Sequence, residues 1–175
     1  MKKNVSTWCL VLLGCAVLWM GCNRNSRHKE VVPMTREQLL DAHKRKLDVE
    51  TSRIDSFLAQ TDWEMEKTNT GLRYQVYHHG HGNSAAMGLT AEITFKALLL
   101  NGTPVASTPP GETRSVRIGY DDEVSGLHEA LDLLAQGDSA RFILPSHLAY
   151  GLTGLNNQVP PNAAIFYDLH LVDLR

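Results

Sequence analysis

An α+β fold, in which an antiparallel β-sheet surrounds one short helix and a second helix precedes it, is what this sequence predicts. Three observations lead there. Five segments after residue 70 are strand-like, two of them alternating apolar and polar residues, and Gly, Pro or Asn-Gly punctuates them. Only one short helical pattern interrupts them. Strand and helix never alternate in the βαβ manner that a parallel sheet requires.

Composition narrows the class. The 175 residues suffice for one well-packed domain, and 43% hydrophobic with 21% charged residues is globular. A net charge of −2 leaves no basic footprint, so no nucleic-acid partner is expected. Cys9, Cys15 and Cys22 are the three cysteines, so the folded part has neither a disulfide framework nor a thiolate zinc site.

The amino terminus reads as an address. Lys2 and Lys3 precede an apolar run from Trp8 to Met20. That run is too short for a bilayer core of about 30 Å and suits the h-region of a signal peptide. Trp19-Met20-Gly21-Cys22 resembles a bacterial lipobox, which gives a lipoprotein signal peptide over 1–21 and lipidation at Cys22. Leu12-Leu13-Gly14-Cys15 is the better local match, but it would leave Ala16 to Met20 as an apolar stub, so Cys22 is preferred. The chain is expected to be exported and held at the cell envelope by its lipid, on the periplasmic face of an outer membrane.

Residues 22–34 read as the lipidated cysteine and a flexible tether. Residues 35–67 form an N-terminal helical segment: Thr35 and Gln38 have capping-box spacing, and no Gly or Pro follows as far as Trp63. Leu40, Leu47 and Ile54 recur every seven residues and make a narrow apolar stripe. Such a stripe serves either a homodimer seam or client-gathering arm, or a face laid on the domain; the pattern fits both.

The domain is placed at 70–175. Leu72 to Tyr77 alternates as a half-buried strand, and His78-His79-Gly80-His81 after it reads as a solvated hairpin turn in preference to a metal site. Ala91 to Leu100 is a strand ended by Asn101-Gly102. Thr113 to Ile118 is another. Leu127 to Gln136 is the buried helix, with Gly137 as its stop. Ala140 to Leu144 and Ile165 to Leu174 complete the strands.

Several of these residues form motifs in a familiar order: Gly126-Leu127-His128-Glu129-Ala130-Leu131, Gly137-Asp138, Ile143-Leu144-Pro145, Leu148-Ala149-Tyr150-Gly151, and Val159-Pro160-Pro161-Asn162-Ala163. With Thr70-Gly71-Leu72-Arg73-Tyr74 at its entry, the chain from about residue 70 onward resembles the FKBP-type peptidyl-prolyl cis–trans isomerases. It looks most like their exported bacterial lipoprotein branch and is similar to gliding-motility-associated members. The resemblance implies an FKBP-like fold and an enzyme that isomerises X-Pro bonds in proline-containing unfolded or nascent exported polypeptides, with no metal or cofactor. Amide rotation has a barrier of about 18–20 kcal/mol because resonance must be broken. A twisted amide tolerates loss of water better than a planar one, so an apolar pocket favours the transition state.

Carried over position by position, Tyr150 corresponds to a hydroxyl donor to a substrate carbonyl and Val124 to a backbone N–H donor. Val159 and Tyr167 correspond to walls, Leu127 to the floor and Phe95 to a strand position that is usually Tyr. Val105 and Ala106 stand where the family usually has Phe-Asp, Arg114 where it has an aromatic wall, and Glu123 and Gln158 where it has aliphatic rims. The resemblance therefore implies an isomerase with a flatter, more charged pocket. A client-binding chaperone or an envelope scaffold with negligible turnover is the alternative.

Overall fold

The structure, a computed structural model, describes residues 35–175. The segments expected as signal peptide and tether, with Cys15 and Cys22, lie outside the described residues. Helix α1 spans Arg36–Leu58, so Thr35 immediately precedes it as the capping spacing requires. It ends short of Trp63, where Gln60 and Thr61 donate back to Phe57 and Leu58 and turn the chain. Strands follow at Glu66–Lys67 (β1), Arg73–His78 (β2), Thr90–Leu99 (β3), Pro104–Ser107 (β4) and Arg114–Arg117 (β5). Helix α2 is Ser125–Asp132, then come β6 at Ser139–Leu144, a 3₁₀ turn at Ser146–Leu148 and β7 at Ile165–Leu174.

The strands form one antiparallel sheet in the order β1-β2-β6-β7-β3-β4, with β5 also paired to β3. This is the predicted α+β class. Asn101-Gly102 does turn the chain, Gly102 taking φ +86° while Leu99 donates to Thr103, and the return strand β4 is added to the sheet there. Helix α2 is shorter than its apolar pattern suggested. Its face continues past the helix end because Leu133 and Leu134 fold back onto Ala130 and Leu131, which buries Leu134.

Each face of the sheet has its own core. On the inner face, alternate residues Ile93, Phe95 and Ala97 of β3 and Tyr167, Leu169 and Leu171 of β7 pack with Leu127, Ala130 and Leu131 of α2. Gly126 lets α2 sit this close, because a Cβ there would meet Leu144 Cδ2 at 2.7 Å and the Leu148 carbonyl oxygen at 2.8 Å. On the outer face, Ile143 and Phe166 point away from α2 and are covered by Ile54, Phe57 and Leu58 of α1, with Trp63 beyond it. Trp63 stacks on Phe166 with ring centroids 5.2 Å apart. The stripe on α1 is thus divided: Ile54 is buried against the sheet, whereas Leu39, Leu40 and Leu47 remain exposed. Among the described residues no helix is long and apolar enough to cross a membrane.

One buried carboxylate is expected to make the fold acid-sensitive. Glu92 on β3 accepts bonds from Ser115 Oγ, from Thr113 Oγ1 at 2.7 Å and from the Arg175 guanidinium. The two hydroxyls, Ser115 foremost, and to a lesser degree Arg175 hold its carboxyl below the usual range against the opposing effect of burial. A depressed folded value stabilises the protein above the unfolded value of about 4.3, and that stability is lost as pH falls through the folded value. Glu92→Gln is therefore expected to lower the urea midpoint at pH 7, with the gap to wild type closing as both are acidified below about pH 4. A gap that stays constant down to pH 3 would show that the charge contributes nothing.

Candidate functional site

The inner face carries the candidate site. Phe95 lies opposite Leu169 and Ala97 opposite Tyr167 in the β3–β7 register, so Phe95 and Tyr167 are diagonal neighbours on one face. Their ring centroids are 5.6 Å apart. Leu127 reaches the same cluster from the first turn of α2, and Val159 from a loop closed by its own bridge to Leu155. Val124 is the N-cap of α2, in extended conformation, and Tyr150 follows the 3₁₀ turn. All six residues expected at the site, Phe95, Val124, Leu127, Tyr150, Val159 and Tyr167, thus join one apolar cluster. Phe95, Leu127, Val159 and Tyr167 are buried in it, while Val124 and Tyr150 are half-buried at its edge.

Polar groups sit at that edge. Among the described residues no protein group accepts a bond from the Val124 N–H, and neither the Tyr150 nor the Tyr167 hydroxyl has a hydrogen-bond partner. Burial raises the Tyr150 phenol above its ordinary value, Glu123 adds to the rise and Arg114 opposes it. The Tyr167 phenol is pushed up further, chiefly by burial, with Tyr150 and Glu123 contributing and Arg114 again opposing. Both side chains therefore stay O–H donors across the neutral range. They are not proton-transfer groups there.

Arg114 and Glu123 are separate departures in the sequence, and the structure makes them one feature. Arg114 pairs with Ile93 in the β5–β3 ladder, so its side chain leaves on the face that Phe95 occupies. Its guanidinium lies over the Phe95 ring, 5.9 Å from the centroid, and forms an ion pair with Glu123, the residue before Val124. Opposite charges at an expected wall position and an expected rim position were the sequence signal for this pairing. Val105 packs against the cluster, and Ala106 is exposed opposite Ala97 in the β3–β4 ladder. Gln158 is exposed on the Val159 loop.

The His78–His81 turn packs on the α2–β6 connection. Gly80 donates to Asp138 Oδ1 at 2.7 Å, and a Cβ on Gly80 would meet the Gln136 carbonyl oxygen at 2.2 Å. Glycine is required there by close approach of two backbones.

The chain is 30% identical over 112 residues to the FKBP-type peptidyl-prolyl cis–trans isomerase FkpA of Escherichia coli, covering 63% of this chain and 40% of that protein. It is 25% identical over 137 residues to a probable FkpA of Neisseria meningitidis, covering 77% and 50%. The chain thus spans about half or less of the length of these relatives. The crystal structure of Escherichia coli FkpA superposes with a TM-score of 0.64 at 21% identity, covering 100% of this chain and 74% of that one. A peptidyl-prolyl cis–trans isomerase crystal structure from Pseudomonas syringae gives 0.65 at 19% identity, covering 75% and 94%. Those two likenesses establish the fold. The sequence profile described as FKBP-type peptidyl-prolyl cis–trans isomerase matches residues 82–172, more than half of the chain, and on that span the chain belongs to the FKBP-type peptidyl-prolyl cis–trans isomerase family.

Proposed function

We propose that this chain is a peptidyl-prolyl cis–trans isomerase that assists the folding of exported, proline-containing polypeptides at the cell envelope. The observation that carries the reading is the pairing of an apolar cluster with donors that no group among the described residues uses: the Tyr150 and Tyr167 hydroxyls and the Val124 N–H. A proline ring set against Phe95, Leu127 and Val159 would lose water, and the donors would hold the flanking carbonyls while the amide turns. Rotation needs no proton transfer, in keeping with tyrosines that remain protonated. Residues 70–175 supply this activity. A signal peptide over 1–21 and lipidation of Cys22 would tether it, through residues 22–34, to the periplasmic face of an outer membrane. Leu39, Leu40 and Leu47, exposed on α1, suit a homodimer seam or contact with clients.

The Arg114–Glu123 ion pair favours a second reading, a client-binding chaperone or scaffold with negligible turnover, because charges at the rim retain water. A refolding assay limited by proline isomerisation separates the two. The isomerase accelerates the slow phase at substoichiometric protein, whereas the chaperone suppresses aggregation only in stoichiometric amounts. Tyr150→Phe is expected to lower the catalysed rate about fivefold by removing one carbonyl contact. An unchanged slow phase with wild-type protein would discard the isomerase reading.

A further inference from the structure

We infer that Glu50, on the N-terminal helix, is a positioning residue for the site, acting through Ser146 on the loop that presents Tyr150. The inference rests on the isomerase reading above. Glu50 lies three residues after Leu47 and four before Ile54, in the middle of the apolar stripe. It is 9% exposed, and a carboxylate buried to that extent requires partners. Ser146 supplies both: its backbone N–H donates to Glu50 Oε1, and its hydroxyl donates to Oε2 at 3.1 Å.

Ser146 opens the 3₁₀ turn, so its N–H is one that the turn itself cannot satisfy. The Ser146 carbonyl accepts from Ala149 at 3.0 Å and from Gly151 at 2.7 Å, the two residues that flank Tyr150. The Tyr150 carbonyl accepts from Gly154 at 3.1 Å. Hydrogen bonds therefore run from a helix on the outer face of the sheet, through Ser146, to the two residues that flank the tyrosine on the inner face. The apolar contacts of Ile54 with Ile143 and Phe166 would dock α1 without any carboxylate. What Glu50 adds is a fixed position for Ser146.

Glu50→Leu is the discriminating variant, since leucine continues the stripe and keeps α1 docked but accepts no hydrogen bond. Glu50→Gln retains an acceptor for the Ser146 N–H. In the whole chain, Glu50→Leu is expected to speed amide exchange at Ala149 and Gly151 at least about tenfold and to lower kcat about fivefold, with KM little changed. Glu50→Gln should recover most of both. In a Tyr150→Phe background, Glu50→Leu should lower kcat less than about twofold, because the hydroxyl it positions is already gone.

Unchanged exchange at Ala149 and Gly151 would overturn the inference. So would a kcat loss that is equal in the two backgrounds, which would make Glu50 a general structural residue. If Glu50→Leu fails to fold, the same two readouts on Glu50→Ala and Ser146→Gly decide the matter. Absence of turnover in the wild-type chain would instead remove the isomerase reading, while the exchange measurement would still report whether Glu50 sets the loop.

Discussion

Replacing Arg114 and Glu123 together, as Arg114→Phe with Glu123→Val, is expected to raise kcat/KM on an X-Pro peptide about tenfold, equivalent to about 1.4 kcal/mol of transition-state stabilisation. The site is proposed to work by stripping water from a twisting amide, and an ion pair at its rim holds water there. The guanidinium also lies over Phe95, on the surface that a proline ring would use. The two changes must be made as a pair. The Glu123 side chain is only 17% exposed, so Arg114→Phe alone leaves a largely buried carboxylate beside Tyr150 and Tyr167 with its cation removed. That single variant should be less stable than wild type and slower than the double variant. Exchange spectroscopy on a proline peptide, with a thermal melt of each protein, provides both measurements. A folded double variant no faster than wild type would show that the ion pair does not limit catalysis.

The largest effect on stability is expected at Phe166. It is 8% exposed, stacks on Trp63 and lies 6.3 Å from the Phe57 ring, so it joins α1 to the outer face of the sheet. Phe166→Ala should cost about 3–5 kcal/mol, from lost burial and the cavity left between sheet and helix. For a chain of this size that is a fall of roughly 10–15 °C in Tm. A fall below about 3 °C would mean that the α1 docking seen here contributes little in solution. Because β7 also carries Tyr167 on its inner face, loss of activity in this variant is read only below its own melting range.

Much of this architecture was legible without coordinates. Strands β2 and β5 follow from two-residue alternation, β3 and β6 from apolar runs stopped by Asn101-Gly102 and Pro145, β7 from a dense apolar run, and α2 from one apolar face ending near Gly137. Those are local signals, set by which side of an element each residue faces. The motif order from Gly126 to Ala163 named the family, and with it the residues that meet on the inner face. Their roles at that site are proposals that the variants above test.

What escaped the sequence depends on which elements meet. Strand β1 has two residues and β4 four, too few for a period, and both exist because a neighbouring strand offers hydrogen bonds. Leu40, Leu47 and Ile54 are equivalent in a heptad count, yet only Ile54 is buried, because Ile143 and Phe166 extend the apolar surface of the sheet to that end of α1 alone. Arg114 and Glu123 are nine residues apart, on a strand and on the approach to a helix, and the β3–β5 register brings them together. Glu50 and Ser146 lie 96 positions apart. Local patterning determined the longer elements and their apolar faces in this protein. Pairing of charges, capping of the Tyr150 loop and the half of α1 that docks were decided only in the tertiary structure, because a side chain's spacing along its own element carries no information about its partner.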